Sequence, residues 1–189
     1  MKIISTLIPA VKIIEPQLFN DDRGFFFEVY QQEKFSNKIN GVKPFVQDNL
    51  SRSQKGVLRG LHYQCQQPQG KLVTVLRGSI FDVAVDVRLG SPTFAAWVGI
   101  ELSEENRHQL WIPEGFAHGF YVLSESADVL YKCTDYYSPA FDRSLKWDDA
   151  TLAIEWPLSV APILSAKDAA GQSLVECKNG ELLSYTEWP

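Results

Sequence analysis

Histidine is the side chain best suited to moving protons near neutral pH, and this sequence has three: His62, His108 and His118. His62 sits in Gly56-Val57-Leu58-Arg59-Gly60-Leu61-His62-Tyr63-Gln64. If Leu58, Gly60 and His62 alternate along a strand, they share one face with Gln64. Arg59 then points elsewhere unless a bulge or turn at Gly60 re-aims it. His118 closes a P-x-G-x-x-H run, Pro113 to His118, in which a tight turn can deliver a histidine into a barrel. Tyr131 stands in Tyr131-Lys132-Cys133-Thr134-Asp135-Tyr136-Tyr137, where polar groups interrupt an otherwise apolar strand. A tyrosine facing a cavity there can act as a general acid; the alternative is a core tyrosine with its hydroxyl satisfied by a neighbour. Ser165-Ala166-Lys167-Asp168 sets a cation beside a carboxylate in an expected loop, where a solvated pair contributes little. His108, next to Arg107, reads as a surface or strand-end residue.

These groups need strands to hold them. Aromatic and β-branched residues recur in short runs broken by Gly, Pro, Asn and Asp, the pattern of many short strands. Leu72–Leu76 and Ile80–Arg88 read as two strands joined through Arg77-Gly78-Ser79 as a hairpin. In Phe81–Val87 the period is two, with Asp82, Ala84 and Asp86 on one face and apolar residues on the other. Phe94–Leu102, Gln109–Ile112, Phe116–Leu123 and Val129–Tyr137 continue the series. Asn20–Gly24 reads as a turn and Gln31–Asn37 as a short helix. Residues after Trp156-Pro157 read as loops and short helices over the strands. So many closely spaced strands must hide their edges, and a closed or double-sheet barrel does so. The expected fold is all-β, a cupin-like double-stranded β-helix (jelly-roll) barrel with a few short helices; a β-sandwich of another topology is the alternative. A metal-binding cupin carries H-x-H before a glutamate, whereas here His62-Tyr63-Gln64 lacks the second histidine. An amide oxygen replaces imidazole poorly on a transition metal, so no metal and no cofactor is expected.

Composition narrows the classes. The 189 residues suit one domain, 1–189, and 45% apolar with 22% charged residues is ordinary for a globular chain. The net charge of -5 does not look like a nucleic-acid binder. An anionic ligand would need a local basic cluster working against that global field. Cys65, Cys133 and Cys177 are odd in number and form no C-x-x-C pair, which points to a reducing compartment. Met1–Pro16 lacks a signal-peptide pattern, and no run of about 18 apolar residues predicts a membrane span. A cytoplasmic location is expected.

Several blocks together resemble one family. Gly56–Gln64, Gln47-Asp48-Asn49, Pro68–Val73, Trp111–Phe120, Tyr131–Tyr137, Trp147-Asp148-Asp149 and Leu164–Asp168 resemble, in order, the pattern of dTDP-4-dehydrorhamnose 3,5-epimerases. The resemblance implies inversion of C3 and C5 of dTDP-4-dehydro-6-deoxy-D-glucose, the two carbons flanking its C4 ketone. By motif match, His62 resembles the base and Asp168 its partner, Tyr131 the acid on the opposite face, and Lys71 the cation near the C4 oxygen. His118 and Lys167 match substrate contacts. Arg23 and Arg59 resemble a diphosphate clamp; Glu28, Gln47 and Asn49 resemble nucleoside contacts, with Phe26 as a stacking candidate. Asp142 stands where the family often has glutamate. Residues 1–50 would then carry the N-terminal strands and nucleotide-binding segment, 51–140 the barrel core, and 141–189 the C-terminal loops and short helices. The resemblance also implies a homodimer whose N-terminal residues reach the partner. Two alternatives stay open: a single-site 3- or 5-epimerase of another dTDP-4-keto-deoxysugar, or a non-catalytic nucleotide-sugar-binding cupin.

Overall fold

The computed structural model describes residues 1–39, 41–177 and 180–185. Two N-terminal hairpins come first, β1 (Lys2–Ser5) with β2 (Lys12–Glu15), then β3 (Phe19–Asp21) with β4 (Gly24–Phe26). A one-turn helix, α1 (Gln32–Ser36), follows, its first turn closed by the Gln31 side chain accepting from the Lys34 amide. The barrel strands are β5 (Gln47–Gln54), β6 (Leu58–Gln64), β7 (Lys71–Arg77), β8 (Ser79–Asp86), the short β9 (Arg88–Leu89), β10 (Trp97–Ser103), β11 (Gln109–Ile112), β12 (Phe116–Val122), β13 (Ser126–Cys133) and β14 (Asp142–Ser144). The C-terminal segment holds α2 (Ala166–Ala169), a 3-10 turn at Leu174–Glu176, and β15 (Leu183–Ser184) paired to β9.

Apart from the β3–β4 hairpin and the β9–β15 pair, the strands form two antiparallel sheets, one ordered β1-β2-β11-β7-β13-β5 and the other β10-β8-β12-β6-β14. From β5 onward the chain changes sheet at nearly every connection, which is the winding of a jelly roll. The expected cupin-like barrel is the observed one. The hairpin expected through Arg77-Gly78-Ser79 is not. β7 pairs with β11 and β13, while β8 pairs with β10 and β12 in the other sheet. Gly78, at φ +76°, turns a corner between sheets, and a Cβ there would stand 2.1 Å from the Ser126 carbonyl oxygen. A glycine between two strand-like runs fits either geometry, so local pattern does not separate them.

Three apolar clusters stabilise this arrangement. Val73, Val75, Leu110 and Val129 of one sheet meet Ile80, Ala84, Phe120 and Val122 of the other in the barrel interior. Leu61, Tyr63, Val83 and Val85 face outward and are roofed by Leu145, Leu152 and Leu174 of the C-terminal segment. Ile14, Leu72 and Trp111 lie on the outside of the six-stranded sheet beneath Phe35 of α1. Each large side chain removed from water contributes roughly 1.5–3 kcal/mol. The apolar face of β8 is thus the outer, covered one. Its aspartate face looks inward, where Asp82 is fully buried.

One irregularity in the sheet re-aims the side chains of β6. β6 and β12 pair His118 with His62 but Phe120 with Arg59, so the register slips at Gly60. Gly60 sits at φ +121° with its backbone against Gly119. The slip lets Arg59 and His62, three residues apart, both face the cavity, while Leu61 and Tyr63 pack outward. A Cβ on Gly60 would lie 2.5 Å from Gly119 Cα and 2.7 Å from the His118 carbonyl oxygen. Gly60→Ala is therefore expected to destabilise the fold by about 2 kcal/mol or more. Urea unfolding of the two proteins measures it, and equal stabilities would contradict this account of the bulge.

Candidate active site

The barrel opens into a cavity of about 300 Å3, lined by Gln47, Asn49, His62, Gln64, Gln69, Lys71, Tyr131, Tyr137, Asp142 and Lys167. A smaller inner cavity of about 110 Å3 continues from it, bounded by Ser51, Arg59, His62, Lys71, His118, Phe120 and Tyr131. His62, Lys71 and Tyr131 line both. His62 is on β6 of the five-stranded sheet; Tyr131 and Lys71 are on β13 and β7 of the six-stranded sheet. The imidazole and the phenol therefore enter one space from opposite walls.

His62 Nε2 donates to Asp168 Oδ1 at 2.5 Å. A carboxylate can only accept here, so the neutral ring keeps its proton on Nε2 and its lone pair on Nδ1. The His62 side chain is 32% exposed and that of Asp168 only 4%, so the ring reaches the cavity while its anchor is dry. Burial pushes the Asp168 carboxyl up, but hydrogen bonds from His62, Ser165 and the Gly60 amide together carry it below the ordinary aspartate value. Asp168 is no solvated loop residue. The segment carrying it is pinned at Ile163, which bonds Gly56 and Leu58, and at Gln172, which bonds Ser144 and Lys146.

Lys71 lies beside Cys133 across the β7–β13 pair, buried except for its cavity end. Burial lowers its pKa, against opposing pulls from Cys133, Asp142 and Asp82. Burial also raises the Tyr131 phenol, with Cys133 adding and Arg59 opposing. Arg59 Nε donates to Ser53 Oγ at 2.9 Å, and the side chain lines the smaller cavity while staying exposed to solvent. His118 Nε2 donates to Asp82 Oδ1 at 2.7 Å, and Asp82 Oδ2 has no hydrogen-bond partner among the described residues. At the mouth, Asp142 Oδ2 accepts from Tyr137 at 2.9 Å and from Lys167. Gln64 is fully engaged, donating to the Gln67 and Tyr136 carbonyls and accepting from the Ser138 amide. Among the described residues, no three His, Cys, Asp or Glu side chains cluster as metal ligands would.

The structure gathers His62, Asp168, Tyr131, Lys71, Arg59, His118, Gln47, Asn49, Asp142 and Lys167 around this space. It does not bring Arg23, Phe26 and Glu28 there. Phe26 and Glu28 line a separate cavity near α1, and the Arg23 side chain is 90% exposed, paired to Asp21. Sequence reasoning missed Asp82, Tyr137 and Gln69. Asp82 left a signal in the period-two pattern of β8, but only the barrel interior turns that polar face toward His118.

A family model for dTDP-4-dehydrorhamnose 3,5-epimerase matches residues 5–176. The chain belongs to this family. It is 58% identical over 175 residues to the dTDP-4-dehydrorhamnose 3,5-epimerase of Salmonella typhimurium, covering 92% of this chain and 96% of that one. The Neisseria gonorrhoeae protein of the same name is 54% identical over 182 residues, 96% of this chain, which spans only 55% of that longer relative. Among solved structures, the dTDP-6-deoxy-D-glucose-3,5-epimerase of Legionella pneumophila, in complex with dTDP-4-keto-L-rhamnose, superimposes with a TM-score of 0.96. It is 58% identical, over 97% of this chain and 98% of that one.

The lowered pKa of Asp168 links this epimerase's site to its stability. A carboxyl depressed in the folded state stabilises above its unfolded value, near 3.8, and that stabilisation is lost as pH falls through the folded value. Asp168→Asn is expected to cost roughly 2 kcal/mol above about pH 5, shrinking below about pH 4. Urea titrations at both pH values test this; a cost constant across the range would refute it.

Proposed function

We propose that this chain converts dTDP-4-dehydro-6-deoxy-D-glucose into dTDP-4-dehydro-L-rhamnose by inverting C3 and C5. The observation that carries the reading is the opposition of His62 and Tyr131 across one cavity, with Lys71 lining the same space from the Tyr131 wall. A C–H bond next to a ketone is acidic because the electron pair it leaves moves onto the carbonyl oxygen. His62 Nδ1 takes that proton from one face. The C4 oxygen becomes an enolate beside the Lys71 ammonium, which stabilises the developing charge more than the neutral ketone. Tyr131 then returns a proton from the opposite face, and the carbon is inverted. Imidazolium and phenolate remain, and both exchange with solvent before the second carbon reacts. Asp168 fixes the ring's tautomer and offsets the imidazolium charge.

The remaining groups fit recognition. Arg59 faces inward as one arm of a diphosphate clamp. Gln47 and Asn49 lie at the wider cavity, suited to the nucleoside end, and His118 contacts the sugar. Lys167, held to Asp142, sits at the mouth. Arg23, Phe26 and Glu28 take part only if a second copy delivers them. The β3–β4 hairpin exposes Phe19, Phe25 and Phe26, and β5 is a sheet edge with Leu50 exposed. Such surfaces ask for cover. The chain is thus a homodimer in this proposal, each hairpin completing the partner's site. The three free cysteines fit a reducing, cytoplasmic setting.

In heavy water, the wild type is expected to load deuterium at C3 and C5, and His62→Asn to lose nearly all exchange, on the order of 10³-fold. Full exchange by that variant removes His62 as base. Tyr131→Phe should slow inversion more than proton removal, with NMR of the product reporting whether one centre or both invert. Lys71 loses its charge below the ordinary lysine range, so exchange is expected to fall on the alkaline side even in Tyr131→Phe; an alkaline limb that vanishes there belongs to the phenol instead. For the dimer, Arg23→Ala and His62→Asn proteins, each impaired alone, should recover activity when mixed. No recovery after subunit exchange would place Arg23 outside the site.

A further inference from the structure

The carboxylate that steadies His62 is itself gripped twice by the Ser165 hydroxyl. We infer that Ser165 is a positioning residue for the His62–Asp168 pair. The inference rests on His62 acting as the base.

Asp168 lies in α2, a single turn too short to persist on its own hydrogen bonds. Ser165 precedes it with extended backbone, φ -72° and ψ 161°. Its Oγ accepts the Asp168 amide at 3.1 Å and donates its own proton to Asp168 Oδ2 at 2.7 Å. One hydroxyl thus ties both the backbone and the side chain of the same residue. With Oδ2 occupied, Oδ1 is the oxygen left to face His62, at 2.5 Å. The carboxylate cannot rotate without breaking the Ser165 contact, and the side chain is 4% exposed, so water does not replace the lost partner. The imidazole's orientation follows from the carboxylate's.

This hydroxyl caps α2, but the segment does not hang on it alone. The backbone bonds at Ile163 and Gln172 anchor the segment on either side of it. Removing the Ser165 hydroxyl therefore loosens the carboxylate inside a segment that stays docked. A misaligned proton acceptor slows proton transfer far more than it weakens ligand binding.

The test compares S165A and S165T with the wild type on the dTDP-4-keto-6-deoxyhexose substrate. S165A is expected to lower kcat roughly 10- to 100-fold with KM little changed. Deuterium exchange at C3 and C5 should fall in parallel. The downfield proton resonance of His62 Nε2–H should shift or broaden in S165A. S165T keeps a hydroxyl and is expected to restore both rate and resonance. Wild-type kcat with an unmoved resonance in S165A overturns the inference. So does a loss of melting temperature and rate that threonine fails to rescue, since that marks a structural role. The two readings fail separately: full exchange by H62N sinks the base assignment, whereas an inactive H62N with a normal S165A sinks only the role of Ser165.

Discussion

One hydrogen bond ties the C-terminal segment to the barrel. His62 on a barrel strand and Asp168 in the C-terminal segment are 106 positions apart and meet at 2.5 Å. Closing so long a loop costs conformational entropy, and the contact alone does not repay it. The apolar roof of Leu145, Leu152 and Leu174 over the five-stranded sheet does most of that work. The segment is therefore part of the site. Without it the imidazole has no fixed tautomer and no partner for its positive form.

The second constraint is the two-walled barrel. An inversion needs acid and base on opposite faces of one carbon, and a single sheet presents only one inner face. Two sheets facing each other offer two such faces, with His62 on one and Tyr131 on the other, as the proposed inversion requires. Phe120 and the apolar interior below bury the inner end of the cavity, while His62 stays 32% exposed. That burial shifts the groups. It lowers the Lys71 ammonium and raises the Tyr131 phenol, so the phenol keeps its proton to give. The net charge of -5 is no obstacle to an anionic ligand, because Arg59, Lys71 and Lys167 converge locally.

Much of the site was legible in advance through motifs that cluster residues close in sequence. Arg59 and His62 share one strand, Lys167 and Asp168 one turn. The position of Arg59 was left open by alternation, since period two sets it opposite His62. The register slip at Gly60 decided it, at a point where β6 and β12 approach too closely for a side chain on either Gly60 or Gly119. The Arg77–Ser79 corner misled for a related reason. Turn chemistry is local, while the choice of partner strand is made by the whole sheet.

By itself, the order of residues determined the strand-rich class, the short helix at α1, the chemistry available to each motif and the family. Those follow from side-chain type and spacing, which survive without neighbours. Tertiary structure alone decided which face of β8 looks inward, that Asp82 backs His118, that Ser165 grips Asp168, and that Arg23, Phe26 and Glu28 lie apart from the cavity of their own chain. Those are contacts between distant segments. Their geometry comes from packing two sheets against each other and a tail against one of them, and no local pattern encodes it.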